Sequence, residues 1–198
     1  GIAERAKGMG ANVIVTEIDP FKALDAVMSG YRVMTLREAT AFGDVFVAVT
    51  GNTKIVDYPV MEDMKSGAIL INCGSGTTEI HVAALKENAV SVHPVKEHLD
   101  EYVLKNGKHL FVMADGRVAN LVCASGNPAD VMDMSFSVVA FGVEHLVKNK
   151  GKLENHMLRI PLELDLQVVR LKLGAMGIHF DKQTDEQKEY ARQFVVHT

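Results

Sequence analysis

Polar and glycine residues follow four short apolar runs of the sequence, at positions where they could bind a ligand. Glu17 follows NVIVT, Thr50–Asn52 follow DVFVAV, residues 72–79 (NCGSGTTE) follow AILI, and His93-Pro94 follow AVSV. Open parallel sheets bind ligands outside the carboxyl ends of their strands. A carboxylate at position 17 could accept hydrogen bonds from both hydroxyls of an adenosine ribose and would repel a 2′-phosphate. This arrangement favours a nicotinamide dinucleotide site that takes NAD rather than NADP.

Other interpretations of these residues stay open on sequence alone. An acidic residue at the end of a strand can equally cap the following helix, and glycines there suit any tight turn from strand to helix. His93, Glu97 and His98 could suggest a metal site, but they have no sulfur partners and lack the spacing of a zinc protease. We therefore predict no metal site and a solvated loop for these histidines.

Apolar strands alternate with amphipathic helices at short spacing over about the first hundred residues. This alternation predicts parallel β-α-β units, with the strands NVIVTE and DVFVAVTG buried on both faces. We also predict helices over residues 2–9 and 20–28 and a helix over residues 77–88 (TTEIHVAALKEN). The later segment YVLKNGKHLF predicts a hairpin with Asn106-Gly107 as a two-residue turn.

The remainder of the chain has a helical pattern. Pro128 starts one long helix with a broad apolar face, and two amphipathic helices follow, the second with Thr184 and Gln187 as a capping box. We predict an α/β fold, a Rossmann-type doubly wound parallel sheet with a C-terminal helical extension. The expected domains are residues 1–127, an incomplete NAD-binding domain, and residues 128–198. The apolar face of Pro128–Val147 predicts a surface that a partner covers.

Composition narrows the class of protein. The 198 residues are 47% hydrophobic and 23% charged with a net charge of -4, which is typical of a globular domain and gives no footprint for nucleic acid or an anionic membrane. No apolar run is long enough to span a bilayer. Cys73 and Cys123 lie in apolar stretches, which predicts two buried thiols rather than a disulfide. We expect a cytoplasmic protein.

Several long segments together resemble one known family. They are GMGANVIVTEIDPFKALDAVMSGYRV, GDVFVAVTGN, MKSGAILINCG, DEYVLKNGKHLFVMADGRVANL, NPADVMDMSF and RLKLGAMGIHFDKQTDEQKEYA. In this order they are similar to the NAD-binding portion and C-terminal segment of S-adenosylhomocysteine hydrolases. The resemblance implies tightly bound NAD that oxidises the substrate ribose at C3′ before homocysteine is eliminated, water adds and the hydride returns. It implies a place in the methyl cycle of one-carbon metabolism, a nucleoside substrate and a homo-oligomer, usually a tetramer.

The resemblance also implies roles for individual residues. Glu17 would hold the adenosine ribose of NAD, and Thr50, Gly51 and Asn52 would line that end of the cofactor. Asn72 to Ser75, including Gly74, would pass beneath the nicotinamide, and Asn120 would bond its carboxamide. The family's glycine loop and substrate domain are expected before Gly1, so we expect this piece alone to bind NAD weakly or not at all.

Two motifs depart from the family pattern. The family usually has Asn-x-Gly-His-Phe-Asp-x-Glu where this chain has NCGSGTTE, so Ser75, Gly76 and Thr77 replace histidine, phenylalanine and aspartate. Its Gly-His-Pro is GNP here, so Asn127 replaces a second histidine. Serine and asparagine form hydrogen bonds but do not shuttle protons near neutral pH. The catalytic residues are therefore not assigned from the sequence.

Three functions remain open at this stage. The first is hydrolysis of S-adenosylhomocysteine, or the same oxidation, elimination and reduction on a related nucleoside thioether. The second is a non-catalytic relative that binds NAD or a nucleoside and acts as a regulatory or assembly subunit. The third is an NAD-dependent dehydrogenase of the 2-hydroxyacid type, although the histidine such enzymes carry after Gly-x-x-Pro is not evident here.

Overall fold

The computed structural model describes residues 1–76 and 78–192; residues 77 and 193–198 lie outside that description. The chain divides into two units, Gly1–Gly126 and Asn127–Thr198. The first has helices and strands in alternation, which confirms the predicted α/β class. In chain order its elements are α1 (Ile2–Gly8), β1 (Ile14–Val15), α2 (Pro20–Met28), β2 (Arg32–Val33), α3 (Leu36–Ala39), β3 (Val45–Ala48), α4 (Tyr58–Asp63), β4 (Ala68–Asn72), α5 (Val82–Asn88), β5 (Ala89–Lys96), β6 (Leu99–Leu104), β7 (His109–Met113), a 3₁₀ turn (Ala114–Gly116) and α6 (Ala119–Val122).

The strands form two sheets. β1 and β2 pair in parallel, and a five-stranded sheet has the order β3-β4-β7-β6-β5. In the larger sheet β3, β4 and β7 are mutually parallel, whereas β6 is antiparallel to both of its neighbours. The sheet is therefore mixed rather than wholly parallel, because the chain reverses twice, between β5 and β6 and between β6 and β7. The carboxyl ends of β3 and β4 still meet at one edge.

The strand β3 has one buried and one exposed face. Phe46 and Ala48 lie in the core, whereas Val45 and Val47 are 51% and 37% exposed. The prediction that DVFVAVTG is buried on both faces was therefore wrong: side chains alternate along a strand, and only one face of β3 is packed. On β4 the same alternation places Ala68, Leu70 and Asn72 in the interior.

The core of the first unit lies on that packed face. Its fully buried members include residues of the strands, of α4 and α5, and of the segments next to these helices: Met61, Met64, Leu70, Ile80, Leu85, Tyr102, Leu104, Leu110 and Val112. Apolar packing against this face therefore fixes the position of the sheet edge that carries the candidate residues.

Two predicted local features differ in the structure. In the hairpin, the Gly107 N–H donates to Leu104 O and the Leu104 N–H donates to Lys108 O, at 2.9 and 2.8 Å. The loop is thus three residues long with Gly107 at φ 80°, a turn followed by a bulge, rather than a two-residue turn. α5 begins at Val82, because Ile80 instead pairs with Val56 as a parallel bridge. The first predicted residue of that helix, Thr77, lies outside the described residues.

The second unit contains α7 (Ala129–Lys148), α8 (Leu162–Ala175) and α9 (Asp185–Arg192) within the described residues. Lys172 of α8 lies 3.1 Å from both Asp130 and Asp133 of α7 and joins the two helices. These two hydrogen bonds raise the pKa of Lys172. The predicted capping box of α9 is present: the Gln187 N–H donates to Thr184 Oγ1, and the Thr184 N–H donates to Gln187 Oε1.

Candidate functional site

The loops that follow β3 and β4 meet at one edge of the five-stranded sheet, and Glu79 connects them. Its side chain is fully buried. Oε2 accepts hydrogen bonds from the N–H and the hydroxyl of Thr50 at 2.8 and 2.9 Å, and Oε1 accepts one from the Gly51 N–H at 2.8 Å. Asn52 follows on the same loop, where its N–H donates to Thr50 Oγ1. Two of the predicted residues are therefore held by one buried carboxylate, and the third, Asn52, is held through Thr50.

Asn72 shapes the loop after β4 from inside the protein. Its side chain is fully buried, and its amide nitrogen donates to Gly76 O and to Gly116 O at 2.7 and 2.9 Å. Its Oδ1 accepts the Gly74 N–H at 2.9 Å. Both amide donors are thus used within the protein, so we expect Asn72 to act on a cofactor through the loop backbone.

Gly74 and Gly51 lie so close to neighbouring side chains that they leave little room for a side chain of their own. A Cβ at Gly74 would collide with the Glu79 carboxylate, and a Cβ at Gly51 would come within 3.2 Å of Ser75 Oγ. Gly51 also has φ 71°, a conformation that other residues adopt at a cost. The exposed Ser75 and Gly51 thus lie next to each other although they belong to different loops. The two glycines therefore let the loops after β3 and β4 approach each other closely.

Asn120 carries a buried acceptor that lacks a partner. Within the described residues its Oδ1 is inaccessible to solvent and accepts no hydrogen bond. Asn120 is in the first turn of α6, and its backbone lies near the thiol of Cys73, just after β4, where it acts to lower the pKa of that thiol against the larger effect of burial. A buried carbonyl oxygen without a donor is costly, and a ligand amide would satisfy it. This arrangement fits the carboxamide of a nicotinamide.

Glu17 lies on the other sheet, after β1. Its Oε1 accepts hydrogen bonds from the N–H groups of Ile18 and Asp19 at 2.7 and 3.0 Å. These bonds, that of Asp19 foremost, lower the pKa of Glu17. The N-cap of α2 is Asp19, whose carboxylate accepts from Phe21 and Lys22. Glu17 is therefore exposed and ionised at the strand end, and it does not cap the next helix.

Other predicted residues lie elsewhere. His93 and Pro94 are inside β5 rather than after it. Among the residues that the structure describes, no group of three or more histidines, cysteines, aspartates or glutamates could hold a metal ion. Asn127 is exposed and belongs to the second unit. The prediction of two buried thiols was wrong, because Cys73 is half-buried and Cys123 is exposed.

Sequence reasoning did not identify Glu79 as the residue that joins the two loops. The only signal was an acid placed between a glycine-rich segment and an apolar residue, Ile80. Its partners Thr50 and Gly51 lie 29 and 28 residues earlier in the chain, and their contact with Glu79 follows only from the pairing of β3 with β4.

An α/β domain with parallel strands, a glycine-lined edge and a buried acceptor for an amide is a dinucleotide-binding domain in its general class. Comparison with known proteins defines the family. The profile of "S-adenosyl-L-homocysteine hydrolase, NAD binding domain" matches residues 1–126. The chain belongs to this family, and NAD is the cofactor of its first unit.

The relatives extend the match over almost all of the chain. It is 53% identical over 194 residues to an adenosylhomocysteinase of Saccharolobus solfataricus, covering 98% of this chain and 46% of the relative. The corresponding enzyme of Sulfolobus acidocaldarius is 52% identical over 98% of this chain and 47% of its own. That of Aquifex aeolicus is 49% identical over 96% and 46%. The chain thus spans about half the length of these curated relatives.

Proposed function

We propose that the full-length protein hydrolyses S-adenosylhomocysteine to adenosine and homocysteine with bound NAD. The buried Oδ1 of Asn120, without a partner among the described residues, carries this proposal in a chain of the hydrolase family. When bound, NAD would take a hydride from the 3′-hydroxyl carbon of the substrate ribose and return it at the end. The related nucleoside thioethers are alternative substrates that the same chemistry could serve.

The residues of this chain would bind and orient the cofactor. The ionised Glu17 would accept hydrogen bonds from the adenosine ribose. Thr50, Gly51 and Asn52 would lie along that part of NAD, and the loop after β4, which contains Gly74, would pass beneath the nicotinamide ring. Asn120 Oδ1 would accept a hydrogen bond from the carboxamide and fix which face of the ring meets the substrate.

Ser75 and Asn127 would act as hydrogen-bonding groups rather than as acids or bases. A hydroxyl and an amide orient substrate oxygens but do not change charge between pH 5 and 8. Proton transfer during elimination must then come from other groups of the full-length protein. We therefore expect the pH profile of kcat to carry no titration from positions 75 and 127.

The exposed apolar residues of α7 support a homo-oligomer. Along this helix Phe136, Val139 and Val143 are 64%, 61% and 55% exposed. Apolar side chains in a row are normally covered in a folded assembly. A second copy of the chain is the partner that we propose, and the tetramer is the arrangement expected from the family.

No helix in the described part of the chain is long and apolar enough to cross a membrane, and we propose a cytoplasmic location.

The deciding experiment measures homocysteine release from S-adenosylhomocysteine by the full-length protein with a thiol reagent. We expect turnover that depends on bound NAD. The variants Ser75→His and Asn127→His should add an ionisation near pH 6.5 to the kcat profile, whereas Ser29→His, on an exposed residue after α2, should not. Absence of turnover in a protein saturated with NAD would reject the hydrolase and favour the non-catalytic relative.

A further inference from the structure

Glu79 is a buried carboxylate without a cation. It is fully buried and forms no ion pair among the described residues. Burying a carboxylate is unfavourable unless its oxygens accept hydrogen bonds. An apolar side chain of similar size would fill this volume without that cost. The carboxylate is stabilised by hydrogen bonds instead, and all three of its donors belong to the loop after β3.

The two oxygens of Glu79 hold consecutive residues of that loop. Oε2 takes both donors of Thr50, and Oε1 takes the N–H of Gly51. Two points of attachment fix the orientation of a peptide unit as well as its position. Gly51 is thereby kept at φ 71°, the conformation in which it lies against Ser75.

The same carboxylate touches the loop after β4. Gly74 lies so close to Oε1 that any Cβ would collide with it. Asn72 fixes this loop from the other side, because it binds both the Gly74 N–H and Gly76 O. The loop after β3 is thus hydrogen-bonded to Glu79, and the loop after β4 is in close contact with it.

The backbone around Glu79 is held independently of its side chain. The Lys54 N–H donates to Thr78 O at 2.7 Å, the Val56 N–H to Glu79 O at 3.0 Å, and the His81 N–H to Val56 O at 3.0 Å. These hydrogen bonds persist when the side chain at position 79 changes. A variant at this position should therefore keep residues 78–81 in place and alter only the two loops.

We propose that Glu79 is a positioning residue that locks the loop after β3 to the loop after β4, so that both present their backbone to the cofactor as one rigid unit. Local opening of residues 50–52 is then coupled to local opening of residues 73–76. The part of this inference that concerns NAD rests on the proposed function. The coupling of the two loops is a property of the ligand-free protein.

The substitution Glu79→Gln in the full-length protein tests the coupling. The amide has nearly the same shape, but it points an NH2 group at a backbone N–H. We expect amide hydrogen exchange to accelerate at least about tenfold at residues 50–52 and at 73–76 together, with the amides of β6 and β7 unchanged. Binding of NAD, measured by calorimetry, should weaken by a similar factor.

Three further variants serve as controls. Glu101→Gln removes a different carboxylate, a partly buried one bonded to His109 on β7, and should leave both loops as they are. Thr50→Val removes one of the three hydrogen bonds of Glu79 and should give a smaller acceleration, again in both loops. Thr50→Ser keeps the hydroxyl and should restore wild-type exchange. If Glu79→Gln does not fold, the comparison of Thr50→Val with Thr50→Ser tests whether the two loops are coupled.

The outcomes separate the two claims. Acceleration confined to one loop, or uniform acceleration over the whole first unit, would overturn the positioning role and leave Glu79 a residue of general stability. If the wild-type protein binds no NAD, the proposed function fails. The exchange data in the ligand-free protein would still decide whether Glu79 couples the loops.

Discussion

The two units of the chain differ in where their apolar side chains lie. Gly1–Gly126 encloses fully buried residues such as Leu70, Tyr102 and Leu110, together with the polar Asn72 and Glu79. In Asn127–Thr198 Val168 is the sole buried residue among those described, and α7 has none. The first unit specifies its own packing and its loops, whereas the second presents a surface. We infer that cofactor binding depends on the first and assembly on the second.

Side-chain truncation should have the largest effect and should differ between the units. Leu110→Ala in the buried centre of β7 is expected to lower the free energy of unfolding by about 2–5 kcal/mol. Phe136→Ala on α7 removes a larger side chain that is 64% exposed, and should change it by less than about 0.5 kcal/mol in the monomer. Urea unfolding at low protein concentration measures both. Equal losses would remove the distinction between the units.

Replacing a glycine by alanine should lower the free energy of unfolding in the first unit and raise it in the second. Gly74→Ala places a Cβ on the Glu79 carboxylate, which cannot move far because it is buried, and should destabilise by about 1–3 kcal/mol. Gly174→Ala lies within α8 with no atom near its Cβ, and should stabilise by up to about 1 kcal/mol through helix propensity. Thermal unfolding of the two variants provides the comparison. A neutral Gly74→Ala would mean that the loop after β4 does not rest on Glu79.

Alkaline pH should destabilise the first unit through Tyr102. Burial, together with the nearby Asp115 and Asp100, raises the pKa of Tyr102 to about 12. Because the pKa of the folded state is above that of the unfolded chain, the stability is fully present below about pH 10 and is lost as the pH rises toward 12. Circular dichroism against pH should show this loss. Tyr102→Phe should flatten the dependence, and an unchanged profile would contradict the assignment.

Thiol labelling should show the smallest difference, one within the first unit. Burial raises the pKa of Cys73, and its thiol is only partly accessible, whereas Cys123 is exposed. At pH 7.5 we expect iodoacetamide to modify Cys123 well before Cys73, and bound NAD to slow Cys73 further. Mass spectrometry of timed samples, with Cys123→Ser as the control, measures both rates. Faster modification of Cys73 than of Cys123 would contradict the difference in exposure, and a Cys73 rate that NAD leaves unchanged would contradict a cofactor site near this thiol.

Local signals in the sequence were sufficient for most elements. Asp19 before Pro20 predicted the start of α2, and Thr184 with Gln187 predicted the cap of α9, because both depend on residues two to three positions apart. The five-stranded sheet was harder. The hairpin turn was predicted one residue too short, because Gly107 takes a bulge position that the dipeptide Asn-Gly does not reveal.

Long-range contacts limited the prediction of the site. Asn72 was expected beneath the nicotinamide, and only the structure reveals that both of its amide donors are used by Gly76 and Gly116. Glu79 acquires its partners through the alignment of β3 and β4 rather than through any nearby residue. The resemblance predicts that Ser75 and Asn127 replace histidines of the family, and both the replacement and its effect stay predictions.

Mapping NAD onto the full-length protein tests the central claim most directly. Amide hydrogen exchange is measured with and without saturating NAD. We predict the strongest protection at residues 49–53 and 72–76 and around Asn120, with the β5–β6 hairpin unchanged. Protection centred on α7 and α8, or none at a concentration where NAD binds, would contradict the assignment of the cofactor site to this edge of the sheet.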